Sequence, residues 1–324
     1  MTAPGGATLG VDIGGTKIVA AVVAPNGTTG PQARSATPAA EGPQAVLHAA
    51  IGVAREAVAR SDGPPPSACG VGTAGTVDAA GAISYATDSL PGWAGTDVAA
   101  AFSDALDLPV TVLNDVHAAA VGEFSCGAAR GYADALVVCV GTGIGGGLIC
   151  GGRLRPGRTG GAGGVGHLPV PSREGRRCGC GGLDHLEAHA SGPAIAASYL
   201  RLAGHAAAVG PADAASPART TDLPEIAALA RVGDPIARLA IRQAGEALGA
   251  VLGDLANVLD PDVIVIGGGV AALADLLAEP ACRVFQVRAL PGPATCQLTF
   301  SSLGPLAVVI GAASAATVVS LRSQ

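Results

Sequence analysis

Apolar residues along the chain come in short runs broken by glycine, and one pattern recurs. Thr8–Val23 reads as a strand, a tight glycine turn and a second strand, because the apolar runs TLGVDI and KIVAAVV flank a Gly-Gly-Thr tip. Ala135–Cys150 repeats it, with the tip at Gly-Thr-Gly. Between the two, residues 43–60 predict an amphipathic helix with Val46, Ala50, Val53 and Ala57 on one face. The stretch SDGPPPS at 61–67 predicts a loop, Ala68–Thr73 and Val110–Leu113 predict strands, and Val116–Phe124 a helix. Further on, Asp262–Ile266 predicts a buried strand entering Gly267-Gly268-Gly269 and a helix from about Val270. Residues 206–222 predict an exposed loop, and Ala307–Leu321 a closing helix.

Two matched hairpins about one domain apart predict a duplicated α/β unit. Glycine at each tip permits positive φ and lets backbone N–H groups approach a phosphate closely. The second tip also fits G-x-G-x-x-G through Gly141, Gly143 and Gly146. A dinucleotide site needs a helix there, whereas Gly147-Leu148-Ile149-Cys150 reads as a returning strand with no acidic residue at the required distance. The strand, glycine turn and helix at 262–270 form an anion- or nucleotide-facing element.

A chain of 324 residues, 49% hydrophobic, is long enough for two lobes and too apolar for disorder. Its formal net charge of -6 argues against a nucleic-acid partner, which needs clustered Lys and Arg. No apolar run reaches the roughly eighteen residues of a membrane span, and the first residues lack a basic segment followed by an apolar one. A cytoplasmic, reducing setting is therefore expected for the cysteines. Cys69, Cys126, Cys139, Cys150, Cys282 and Cys296 are read as buried small hydrophobes. Lys17 is the only lysine, which singles it out beside the first tip.

Candidate chemistry lies in three places. Asn114-Asp115 stands where a strand gives way to a helix. An Asp there serves either as a helix cap or as a carboxylate at a strand end, where open α/β sheets bind ligands. Phosphoryl transfer asks for positioning, charge neutralisation and one acceptor for a hydroxyl proton, a role Asp115 can fill. Asp12, at the end of the first strand, can hold Mg²⁺ through water. His167, Cys178, Cys180 and His185 offer two imidazoles and two thiolates, a set suited to tetrahedral zinc, with free thiols the alternative. The surrounding Gly- and Arg-rich loop has little core of its own.

These motifs, taken together from about Leu9 to the last helix, resemble the ROK family (repressors, open reading frames and kinases) of the actin-like sugar-kinase superfamily. Asp12-Ile-Gly-Gly-Thr-Lys17 and Gly141-Thr-Gly-Ile-Gly-Gly146 resemble its two phosphate motifs. Gly72–Gly75 and Leu90–Trp93 resemble its sugar-side segments, Asn114–Glu123 its catalytic segment, and Gly166-His167 with Cys178–Gly181 and Glu187 its zinc and sugar signature. Asp260–Gly269 resembles its adenosine region.

The resemblance implies an α/β chain of two actin-like (ribonuclease H-like) lobes with an interlobe cleft, built from duplicated βββαβα units. Residues 1–113 with 306–324 would form the small lobe and 114–305 the large one. It implies transfer from ATP to a hexose, most commonly at O6, with Asp115 as base. Gly75, Asn114, His167 and Glu187 would bind the sugar. Asp12, Gly14, Gly15, Thr16, Lys17, Gly141, Thr142, Gly143, Gly267, Gly268 and Gly269 would bind the nucleotide. Mg²⁺, structural zinc and a homo-oligomer go with it.

Four positions depart from the family pattern: Gly164 stands for a Glu that binds sugar hydroxyls, Ser89 for an Asn, His117 for an Asn, and His185 for a zinc Cys. The change at Gly164 opens an alternative acceptor, an amino sugar such as glucosamine, kanosamine or an N-acetylhexosamine, with Asp88 a nearby acid. A catalytically weak sugar-binding protein is a third reading. The family's sugar-responsive repressors carry a helix-turn-helix before the first phosphate motif, which is not expected here because Asp12 comes almost at once.

Overall fold

The computed structural model describes residues 6–78, 80–86, 89–209 and 222–320. It divides into two compact units. The first comprises Met1–Val137, Gly146–Gly163 and Ser301–Gln324, and the second Val138–Gly145 and Gly164–Phe300.

The chain opens with β1 (Thr8–Ile13), β2 (Lys17–Val23) and β3 (Ala33–Ala36), then α1 (Pro43–Ala59), β4 (Cys69–Thr73), the short β5 (Thr76–Val77) and β6 (Ile83–Tyr85). It continues with α2 (Val98–Leu106), β7 (Val110–Asn114) and α3 (Asp115–Cys126). Five of these strands make a sheet in the order β3-β2-β1-β4-β7. β2 shows why its apolar run is unbroken. Ile18, Ala20 and Val22 join one core with Val46, Ala50, Val53 and Ala57 of α1. Val19, Ala21 and Val23 join another with Val309, Ile310 and Ala313. Alternate side chains point to opposite faces, and both faces are covered.

Next come β8 (Ala135–Val140), β9 (Ile144–Cys150), β10 (Arg153–Leu154), α4 (Glu187–Ala190), α5 (Gly192–Val209), α6 (Leu223–Arg231) and α7 (Pro235–Leu259). The chain ends with β11 (Val263–Gly267), α8 (Ala274–Arg288), β12 (Gln297–Phe300) and α9 (Ala307–Ser320). A second five-stranded sheet runs β10-β9-β8-β11-β12. Numbered from its own first strand this is 3-2-1-4-5, the order of the first sheet, so the duplication read from the hairpins is present in the topology. In the second unit α7 packs on α8, capped by Asp234, whose Oδ1 accepts from Ala237 N–H at 2.7 Å.

α9 lies so close to β4 that a Cβ on Gly70 would collide with the Ala312 carbonyl. A chain with 2% aromatic residues reaches its packing density by such backbone approach rather than by large side chains. Glu123, 1% exposed in α3, accepts from Ala128 N–H at 2.8 Å, from the Ser301 hydroxyl, and from Ser302 and Leu303 N–H at 3.4 and 3.3 Å. One buried carboxylate thus fastens the segment that leads into α9.

Several boundaries differ from the sequence reading. The helix after Gly267–Gly269 begins as a 3-10 turn over Gly269–Leu273, and α8 starts only at Ala274. α5 extends to Val209, so residues 206–209 are helical and not loop, and 210–221 lie outside the described residues. α9 ends by Ser320, with Leu321 outside them. Of the six scattered cysteines, Cys69 and Cys296 are buried and the other four half-buried. Among the described residues no helix is long and apolar enough to cross a membrane.

Candidate active site

The parallel strands β1, β4 and β7 end in register, with Ile13 beside Thr73 and Thr73 beside Asn114. Carboxyl ends of parallel strands are where α/β sheets hold ligands. Asn114, not Asp115, caps α3: its Oδ1 accepts from Val116 and His117 N–H at 3.0 and 3.2 Å. Its Nδ2 donates to Gly75 O at 3.0 Å and to Asp115 Oδ1 at 2.9 Å. Asn114 therefore positions Asp115 and ties β7 to the Gly75 turn, where φ is +100°. Asp115 is half-buried, and its Oδ1 also accepts from Val116 N–H at 2.9 Å. Burial pushes its pKa up, against the pull of the Val116 and Asn114 hydrogen bonds.

Asp12 is 9% exposed, next to the end of β1. Burial, and after it the neighbouring Asp115 charge, push its carboxyl up to about 7 from an ordinary 3.8, with Lys17 acting the other way. Two acids whose proton affinities are both raised by burial, Asp12's also by the Asp115 charge, make a place where a cation is favoured. The first tip is braced from β3's exit: Thr37 donates its hydroxyl to Gly14 O at 2.6 Å and its N–H to Thr16 O at 3.1 Å. A Cβ on Gly15 would stand 2.9 Å from Ser89, and Lys17 is exposed at the start of β2. Trp93, fully buried, donates Nε1–H to Thr73 Oγ1 at 3.1 Å and fixes the Leu90–Trp93 segment to the end of β4. His117, 4% exposed, has its pKa lowered by burial and donates Nε2–H to Ala162 O at 2.8 Å. Asp88 lies outside the described residues.

In the second unit, the second tip is seated on α5, with Gly192 N–H donating to Gly141 O at 2.8 Å. Glu187 Oε2 accepts from Ile144 N–H at 2.9 Å, and a Cβ on Gly143 would come within 2.7 Å of that oxygen. A larger residue at 143 would push this carboxylate off the tip. A cavity of about 620 Å³ joins Gly141 and Thr142 to Gly192, Leu200, Leu223 and Gly269. The structure thus gathers three of the sequence-selected nucleotide residues into one cavity. Gly143 instead abuts Glu187, Gly267 ends β11, and Gly268, at φ +80°, is pressed against Val140.

His167, Cys178, Cys180 and His185 do converge, with all four ligand atoms within 4.8 Å of one another. Cys178 Sγ lies 3.6 Å from His167 Nδ1, and Cys180 Sγ 3.2 Å from His185 Nδ1. Tetrahedral zinc with ordinary bond lengths spaces its ligands by roughly 3.3–3.8 Å, so the set fits. His167 turns Nδ1 to the cluster, which leaves Nε2 for a second partner. Cys178 Sγ also lies 3.5 Å from Glu187 Oε1, so the cluster and the second tip share one carboxylate.

Sequence reasoning missed what holds this loop. Asp184 accepts from Gly175 and Arg176 N–H at 2.9 and 3.0 Å and pairs with His189 Nε2 at 2.9 Å. It adopts φ +52°, where Asp is tolerated better than most residues. Gly164 is exposed with φ -69°, and an added Cβ would find only His167 Cδ2 at 4.0 Å. Nothing in the backbone therefore forces glycine there.

Two sheets of one order, with two carboxylates at the strand ends of the first, define an α/β protein of the actin-like class. Within that class the chain belongs to the ROK family, which matches residues 8–318. A glucokinase of Streptomyces coelicolor is 33% identical over 317 residues, spanning 95% of this chain and 96% of that protein. The crystal structure of a ROK family glucokinase from Streptomyces griseus in complex with glucose and AMPPNP is similar at a TM-score of 0.81 and 34% identity, covering 96% of this chain and 99% of that one. An N-acetylmannosamine kinase of Escherichia fergusonii is 29% identical over 272 residues, 84% of this chain and 86% of that protein.

The raised Asp12 pKa has a signed consequence. Its folded value lies above its unfolded one, so the wild type loses stability as pH rises from the unfolded value through about 7. Asp12→Asn removes that loss. Its stability relative to wild type is expected to be about 2 kcal/mol greater at pH 8 than at pH 5, read by denaturant titration. A difference that does not vary with pH would show that Asp12 carries no buried charge.

Proposed function

We propose that the chain transfers the γ-phosphoryl group of ATP to a hydroxyl of a glucose-type hexose, most simply O6, with Asp115 as general base. The observation that carries this reading is Asp115 itself, held at the carboxyl end of β7 beside Asp12 with its proton affinity raised by burial. A base is most effective when its pKa approaches the working pH. The bonds from Asn114 and Val116 both fall on Oδ1, which fixes the carboxylate and assigns Oδ2 to the incoming hydroxyl proton. Asp12 is assigned to Mg²⁺ through water, which would spread the charge of the transferring group.

The second unit supplies the donor side. The cavity at Thr142, Leu223 and Gly269 has apolar walls for a base and tip amides for phosphates. His167 Nε2 and Glu187 are assigned to sugar hydroxyls. His167, Cys178, Cys180 and His185 are assigned to a structural zinc, which takes no part in the chemistry and stiffens the loop that carries them. The relatives named above support a hexose acceptor, and the N-acetylmannosamine kinase among them supports the amino-sugar alternative. Gly164 favours weighing that alternative, since it drops one acceptor and leaves room for a substituent.

Asp115→Asn is expected to lower kcat with glucose and ATP by a factor of about 10³ or more, while glucose still binds by calorimetry. Turnover equal to wild type would refute the base. Gly164→Glu is expected to raise kcat/KM for glucose relative to N-acetylhexosamines roughly tenfold, the effect of one charged hydrogen bond. An unchanged ratio across a panel of glucose, glucosamine, kanosamine, mannose and N-acetylhexosamines would remove Gly164 from specificity. Cys180→Ala is expected to take bound zinc from about one ion per chain to near none and to open the Arg176–Arg177 loop to trypsin. Full zinc retention would leave the four residues without their assigned role.

A further inference from the structure

In a chain of net charge -6, the segment Arg173-Glu174-Gly175-Arg176-Arg177 concentrates positive charge, and the fold adds Arg201 from α5. Arg176, Arg177 and Arg201 line a cavity of about 610 Å³ in the second unit, with the hydroxyl-bearing residues Thr142, Ser191 and Ser198 and the carboxylates Glu174 and Glu187. Glu174 occupies the centre of the arginines in an uneconomical way. A single oxygen, Oε2, accepts from Arg176 Nε at 3.1 Å, pairs with its terminal nitrogen at 3.0 Å, and pairs with Arg201 as well. The remaining Arg201 nitrogen donates to Ser198 Oγ at 3.2 Å. Among the described residues Arg177 makes no ion pair.

Guanidinium forks are matched by anions that present several oxygens in a fixed array. One carboxylate oxygen shared by two forks leaves donors underused, and the three arginines outnumber the two carboxylates that line the cavity with them. Glu174 is 42% exposed, as is Arg201. Ion pairs this exposed contribute at most about 1 kcal/mol each, so the carboxylate can swing out to water at little cost. Burial alone would raise the Glu174 pKa. The hydrogen bonds and charges of Arg176 and Arg201 outweigh burial and hold it below its ordinary value, as expected of a carboxylate in an anion's place.

We propose that Arg176, Arg177 and Arg201 form a second anion subsite, separate from the nucleotide cavity beside it, in which a phosphate-class dianion takes the place of Glu174. The two cavities share Thr142, Pro193 and Ala197 along their border. Only the identity of the neighbouring cavity rests on the kinase reading. The arginine geometry stands without it. Orthophosphate, the phosphate of a sugar ester and a linear oligophosphate share the chemistry that the forks recognise.

The test is calorimetric titration of the zinc-loaded full chain at constant ionic strength with orthophosphate, a hexose 6-phosphate and tripolyphosphate in separate arms, and with AMPPNP as the nucleotide probe. Saturable binding is expected in at least one phosphate arm, and the tightest arm identifies the source. Glu174→Gln is expected to tighten that arm at least about threefold, because the resident carboxylate no longer competes. Arg201→Gln and Arg177→Gln are expected to weaken it at least about fivefold, while AMPPNP affinity changes less than about twofold in all three variants. No saturable binding in any arm, or affinity indifferent to Glu174→Gln and Arg201→Gln, overturns the subsite. Equal loss of AMPPNP and phosphate affinity in Arg201→Gln also overturns it, by assigning the arginines to the nucleotide. If AMPPNP fails to bind the wild type, the kinase reading falls and the phosphate arms still decide the subsite.

Discussion

Two carboxylates brought together by strand register are the constraint on which the rest of the first unit turns. β1 and β7 flank β4 with their carboxyl ends level, so Asp12 and Asp115 arrive side by side in a place with little water. Burial raises the proton affinity of both, and the Asp115 charge raises that of Asp12 further. The arrangement persists because the neighbourhood is over-determined. Asn114 spends both amide hydrogens and both acceptor positions on Gly75, Asp115 and the first turn of α3. Trp93 locks Thr73, and Glu123 fastens the return of the chain into α9.

The second unit is organised by a different carboxylate. Glu187 touches the second glycine tip through one oxygen and Cys178 through the other, so the candidate metal loop and the second hairpin are set by the same side chain. Asp184 does similar work within the loop, gathering backbone N–H groups and His189. A loop poor in apolar residues is thereby held by hydrogen bonds and an ion pair where a core cannot form. Its arginines line a cavity, and its thiols and imidazoles converge a few residues away.

The duplicated hairpins were legible because strand period and glycine tips are local signals, and the sheet orders repeat just as the hairpins do. The convergence of His167, Cys178, Cys180 and His185 was legible for a chemical reason: four such ligands in a glycine-rich loop have few other uses. The role of Asn114 was half visible. Sequence offered Asp115 as the cap at the strand–helix junction, whereas Asn114 takes that place, since both residue types serve. Thr37, Asp184 and Glu174 left no signal, because each acts on backbone or charge that folding brings in from outside its own motif. The closeness of α9 to β4 was hidden for the same reason: Gly70 reads as a weak strand residue until its neighbour Ala312 is known.

The central claim is that the chain moves phosphorus from a nucleotide to a sugar hydroxyl and does not merely bind the two. Phosphorus NMR of the wild-type protein with ATP, Mg²⁺ and glucose follows that step directly. The account predicts a growing phosphomonoester signal coupled to the C6 protons of the sugar, matched by ADP and with little inorganic phosphate. ATP consumed to inorganic phosphate alone, or left intact with every hexose offered, would contradict it.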